Sequence, residues 1–147
     1  MRAVISRVTE ASVTVDGKVV GALPRAGLLV LLGVSTDDDE ADITTMVRKI
    51  AELRILPGEK GAVEIGAPVL VVSQFTLMGS TTKGRRPSWS RAAPGERAES
   101  AVDAVVCGLR EHGLEVATGV FGAMMQVNSV NDGPFTVIVD TSGSRPS

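Results

Sequence analysis

A reaction centre built from side chains needs a nucleophile with its base, a set of metal ligands or a phosphate cradle, and this chain offers few candidates. It holds one histidine, His112, and one cysteine, Cys107. His112 falls at the predicted end of a helix, where a capping or solvated residue is the expected reading. Cys107 sits beside Val105 and Val106 in that helix and is expected to pack as a small buried apolar residue, with nothing nearby to activate its thiol. A Ser-His-Asp triad would have to recruit the lone histidine. The densest run of carboxylates, Asp37-Asp38-Asp39-Glu40, suits a helix start better than a calcium loop. No G-x-G-x-x-G or G-x-x-x-x-G-K-S sequence follows a strand. No metal site and no cofactor are expected.

Two polar segments remain. In Ser73-Gln74-Phe75-Thr76-Leu77 an apolar strand turns polar as it leaves a sheet. Hydroxyls and an amide there could bond a ligand, and freed backbone N–H groups could receive a developing oxyanion. From composition alone, a strand end satisfying its own backbone is the favoured reading of these residues. Asn131-Asp132-Gly133-Pro134-Phe135-Thr136 reads first as an ordinary turn before a last strand, since Asn, Asp, Gly and Pro form turns.

The elements that would position these segments follow from periodicity. Arg2 to Val8, Ala11 to Val15 and Val19 to Leu23 read as strands, with a hairpin at Asp16-Gly17. Leu28 to Val34 is a continuous apolar run, as in a central strand buried on both faces. Ile43, Val47, Ile50 and Ala51 predict a helix from Glu40 to Leu53, and Leu56-Pro57-Gly58 ends it. Pro68 to Phe75 is the next buried strand. Met78 to Gly95 is a long loop holding Lys83-Gly84-Arg85-Arg86 and the sole tryptophan, Trp89. Pro94 opens a second helix, striped by Ala98, Ala101, Val102, Val105, Val106 and Leu109, and His112-Gly113 closes it. Strands from Glu115 to Phe121 and from Phe135 to Val139 complete the chain. The expectation is one α+β domain over residues 1–147, with a mostly antiparallel, barrel-like sheet, two packed helices and a frayed tail over 141–147.

Composition limits the partners. At 147 residues, 44% hydrophobic and 22% charged, the chain can hide about two-thirds of its surface without staples. One cysteine excludes an internal disulfide, and the longest apolar run is too short for a membrane-spanning helix. Arg7 stands where the apolar centre of a secretion signal would lie, so a cytoplasmic protein with no membrane partner is expected. Fifteen Lys and Arg against seventeen Asp and Glu leave a net charge of −2, which argues against coating DNA or any duplex. A small basic patch on one RNA end stays open.

Taken together and in order, the segments resemble the D-aminoacyl-tRNA deacylase family. The opening Met1 to Val8 and Ala11 to Gly17 resemble its N-terminus. Ser73 to Leu77 is similar to one hallmark motif, and Lys83 to Ser88 to the loop after it. Phe121 to Val127 and Asn131 to Pro134 resemble the other hallmark and its approach, so the likeness reaches to about Asp140. Phe135 departs from it where valine is common, and Ser6 where glutamine is common.

The resemblance implies a homodimeric hydrolase with its site at the subunit interface. It would cleave the ester joining a D-amino acid, or glycine on a non-cognate tRNA, to the 3′ end of tRNA. A cis Gly133-Pro134 unit, oriented by Arg7, would enter the other subunit's pocket and exclude L residues, while Ser73 and Gln74 help hold the substrate. Backbone N–H groups at Phe75 and Thr76 would hold the carbonyl oxygen; an alternative makes the Thr76 hydroxyl the nucleophile. Lys83, Arg85 and Arg86 would meet phosphates. A competing reading is an RNA 3′-end binding module that has lost turnover.

Overall fold

The computed structural model describes residues 1–142. Strand β1 (Arg2–Val15) turns through Asp16 and Gly17, both at positive φ (49° and 77°), into β2 (Lys18–Ala22). β3 (Gly27–Gly33) pairs antiparallel with the first half of β1, from Arg2↔Gly33 to Val8↔Gly27. β4 (Val69–Ser73) and β5 (Val116–Thr118) then extend the sheet in parallel. The sheet is therefore mixed, with three antiparallel pairings and two parallel ones that the sequence reading did not foresee. Helices α1 (Glu40–Glu52) and α3 (Gly95–Glu111) are the crossovers that make both parallel pairings possible. A four-residue helix α2 (Ala62–Ile65), absent from the expectation, lies between α1 and β4.

The sheet order is β2-β1-β3-β4-β5, and its two ends touch. A Cβ on Gly21 of β2 would stand 2.1 Å from the Thr118 carbonyl oxygen of β5, so only glycine lets the two backbones meet. The result is a nearly closed barrel. Period-two alternation divides its strands between two cores. Leu28, Val30, Leu32, Val69 and Val71 face α1 and α3, while Leu29, Leu70, Val72, Val8 and Val13 fill the interior.

Both long helices bury the faces their periodicity predicts. Asp39 caps α1 by accepting from Ala41 and Asp42 N–H, and the Asp42 carboxylate accepts from Asp39 N–H in return. α3 buries Ala98, Val102, Val105, Val106 and Leu109. Cys107 falls outside that stripe and is exposed, so the expectation of a buried thiol was wrong. His112 ends the helix as expected, with its Nδ1 2.8 Å from the Gly108 carbonyl oxygen.

β6 (Gln126–Asp140) runs antiparallel along β1 from Arg2↔Asp140 to Thr14↔Gln126, and among the described residues it pairs with no other strand. Thr141, placed by the sequence in the tail, is held: its N–H donates to the Met1 carbonyl (2.9 Å) and its hydroxyl to Asp42 (2.5 Å). Residues 143–147 of that tail lie outside the described residues. Among the described residues no helix is long and apolar enough to cross a membrane.

Candidate active site

The ladder between β4 and β3 runs one residue past the end of β4. Gln74 N–H donates to the Leu32 carbonyl of β3 at 2.7 Å, and the chain then winds into a 3₁₀ turn, Phe75–Met78. Within the turn Leu77 N–H reaches the Gln74 carbonyl (3.2 Å) and Gly79 N–H the Thr76 carbonyl (3.0 Å). The N–H groups of Phe75 and Thr76 precede the first bonded position, and no hydrogen bond among the described residues engages them. Arg2 braces the turn from below, donating to the Leu77 carbonyl at 3.0 Å and to Asp140 at 2.8 Å.

The turn opens on a cavity of about 600 Å³, a size suited to one small organic ligand. Ser73, Gln74, Phe75 and Thr76 line it together, as the sequence reading grouped them. Phe121, Met124 and Met125 form a second wall, within the segment similar to the other hallmark. Ala93, Gly95 and Ala98 at the start of α3 form a third, which the sequence reading missed. The Pro94-Gly95 helix start was the available signal, since a first turn must abut whatever its loop faces.

Thr76 has no base. Its Oγ1 accepts from the Gln74 amide nitrogen at 2.9 Å, and His112 is occupied at the far end of α3. Among the described residues no three His, Cys, Asp or Glu side chains group to hold a metal. The cavity is thus walled by apolar side chains with amide and hydroxyl groups at one corner, suited to polarising a carbonyl rather than attacking it with a side chain.

Arg7, Gly133 and Pro134 do not line this cavity. They form a separate group where β6 departs from β1. Val8 pairs with Asn131 and Ser6 with Thr136, so Asp132–Phe135 loop out opposite the single residue Arg7. The expected simple turn is an excursion inside one long strand, and its Gly133-Pro134 bond is cis. Arg7 Nε donates to the Asp132 carbonyl (2.9 Å) and lies 3.3 Å from the Asp132 carboxylate, while Nη2 reaches the Gly133 carbonyl at 3.4 Å. Asn131 Nδ2 donates back to the Arg7 carbonyl (2.9 Å), and Thr136 hydroxyl to Asn131 Oδ1 (3.1 Å). Phe135, the residue that departs from the family pattern, puts its ring 4.4 Å from the Arg7 guanidinium carbon. That cation–π contact gives the bulkier side chain a place under Arg7, away from the cavity.

Lys83, Arg85 and Arg86 are exposed and also stand outside the cavity. Their loop is closed at its base by reciprocal backbone bonds between Ser80 and Ser88, at 2.8 and 2.9 Å.

The pattern that defines the D-Tyr-tRNA(Tyr) deacylase family matches residues 4–140. A D-aminoacyl-tRNA deacylase of Kineococcus radiotolerans is 60% identical over 140 residues, covering 95% of this chain and 99% of that relative. One from Corynebacterium glutamicum is 57% identical over 143 residues, with the same coverage. Among solved structures, one titled c-Myc DNA unwinding element binding protein superposes with a TM-score of 0.89 at 39% identity, covering 96% of this chain and 99% of that one. A probable eukaryotic D-amino acid tRNA deacylase shares the fold at TM-score 0.81 and 18% identity, covering 94% and 97%. With its family pattern matched from one end of the barrel to the other, this chain belongs to the D-Tyr-tRNA(Tyr) deacylases.

Proposed function

We propose that the protein is a cytoplasmic hydrolase that releases D-amino acids, and glycine from a non-cognate tRNA, from the 3′-terminal adenosine of tRNA. The observation that carries this reading is the pair of unengaged N–H groups at Phe75 and Thr76, opening on a cavity with no side-chain base beside its hydroxyls. An aminoacyl ester is already activated. Its carbonyl oxygen, held by two backbone donors, would gain the negative charge as water adds to the carbonyl carbon. The carbon–oxygen bond to the ribose then breaks, the 3′ oxygen leaves with a proton, and the neighbouring ribose hydroxyl assists the transfer. Ser73 and Gln74 lie at the same corner to hold the aminoacyl group.

Selection by handedness would come from a second copy. The Arg7-held Gly133-Pro134 unit stands outside its own chain's cavity, as expected of a group that serves a partner. Seated beside the substrate's α-carbon, its mainchain would collide with an L side chain but pass a D residue or glycine. β6, which among the described residues pairs only with β1 and leaves Ile138 71% exposed, offers the uncovered surface for such pairing. Lys83, Arg85 and Arg86 would meet phosphates of the tRNA end. Duplex DNA is not the proposed partner, since a chain of net charge −2 cannot neutralise many phosphates.

The test compares D-Tyr-tRNA with L-Tyr-tRNA, on the wild type and on Gly133→Ala. The wild type releases only the D residue. The added methyl meets nothing within 4 Å in its own chain, so the variant folds as wild type yet loses activity or handedness. Release of both isomers by the wild type would overturn the exclusion mechanism, and release of neither would favour an RNA-end binding module.

A further inference from the structure

Trp89 is the only tryptophan, and the chain has no tyrosine. It follows Ser88, the residue that closes the basic loop, and its position is tightly set. A Cβ on Gly79 would fall 2.6 Å from its Cζ3, so the indole rests directly on the backbone that leaves the 3₁₀ turn. It meets the Phe75 ring edge to face, with centroids 5.6 Å apart and planes at 71°. Beyond it, Thr36 N–H bonds the Arg91 carbonyl and Ala93 N–H the Val34 carbonyl, both at 3.0 Å, so the strap around Trp89 is tied to the end of β3. Even so, 44% of Trp89 and 57% of Phe75 face solvent.

A fixed aromatic pair left open to water is joined here to two features. Phe75 lines the cavity, and the loop that ends at Ser88, just before Trp89, carries Lys83, Arg85 and Arg86, which no ion pair among the described residues engages. We propose that Trp89, backed by Phe75, is a stacking platform for the unpaired nucleotides that precede the terminal adenosine of the RNA. Bases of a single strand present π-faces, and exposed aromatic rings flanked by cations bind them with little regard to sequence. The loop cations would take the accompanying phosphates. This platform rests on the reading that the cavity receives the aminoacyl-adenosine end, and extends it outward by one or two nucleotides.

The sole tryptophan supplies its own probe. A short single-stranded RNA ending in CCA, titrated into the wild type, should quench Trp89 emission saturably, and adenosine monophosphate should do so far less. Trp89→Ala should weaken binding of a dye-labelled copy of that RNA by about 5- to 150-fold, measured by anisotropy, and Trp89→Phe should restore most of it. On D-Tyr-tRNA the alanine variant should raise KM more than it lowers kcat, and its KM penalty should be larger there than on D-Tyr-adenosine. RNA that binds by anisotropy without altering Trp89 emission would overturn the platform, as would equal penalties on the two substrates or no RNA binding at all. Quenching by RNA from a wild type that leaves D-Tyr-tRNA intact would overturn the hydrolase reading and support the platform.

Discussion

At Thr76 the side chain and the mainchain point to different chemistries, and the surroundings decide between them. The hydroxyl already accepts a bond from Gln74 at 2.9 Å, and among the described residues no carboxylate or imidazole is bonded to it to take its proton. The N–H beside it has no partner within the described residues. Thr76→Ala keeps that N–H, so we expect kcat on D-Tyr-tRNA to fall by less than about tenfold, whereas losing a true nucleophile costs several orders of magnitude. Single-turnover measurement of the variant decides it, and a drop beyond about a thousandfold with the fold intact would restore the nucleophile. Residue types alone left this corner ambiguous, because composition says nothing about which N–H groups a 3₁₀ turn leaves unengaged. The role of Phe135 was equally illegible, since its contact with Arg7 depends on a loop four residues deep opposite a single one.

Among the elements, helices α1 and α3 were readable because an amphipathic stripe needs only local sequence. The two parallel pairings were missed, although both helices stand between buried apolar runs, the arrangement that forces parallel pairing. β6 was read as five residues and spans Gln126–Asp140. Most of it is exposed, so it carries no period-two pattern to find. Closure of the barrel rests on contact between mainchains, and that contact can be tested. Gly21→Ala would place a methyl 2.1 Å from the Thr118 carbonyl oxygen, so one of the two backbones would have to shift. We expect a loss of about 2 kcal/mol or more in urea unfolding, with the m-value unchanged. Gly95→Ala, whose Cβ meets nothing within 4 Å at the start of α3, should be neutral or slightly stabilising. Equal stability of the two variants would mean that β2 and β5 are not held in contact.

Across the whole molecule, distant parts of the sequence are joined by a small charged clasp. Burial raises the pKa of Asp140, but bonds from the Ser142 hydroxyl and N–H and from the Arg2 guanidinium more than reverse it, so the net shift is downward. Asp42 behaves alike, its burial outweighed by the Thr141 hydroxyl and by Asp39. A carboxylate with a lowered folded-state pKa stabilises fully above its unfolded value of about 3.9, and that stability is lost as pH falls through the folded value. Urea unfolding across acid pH should show a steep decline for the wild type. In Asp140→Asn the decline should be shallower, and the gap between the two proteins should close as the medium acidifies. Parallel curves would show that the clasp contributes nothing.

β6 lies along almost the full length of β1. A ribosome makes β1 (Arg2–Val15) long before β6 (Gln126–Asp140), so the earlier strand must wait, half-paired, until the later one has emerged. Contacts that span so much of a sequence are slow to form. The brace from Asp140 through Arg2 to the Leu77 carbonyl is completed only then, so the 3₁₀ turn gains its support only after β6 has left the ribosome.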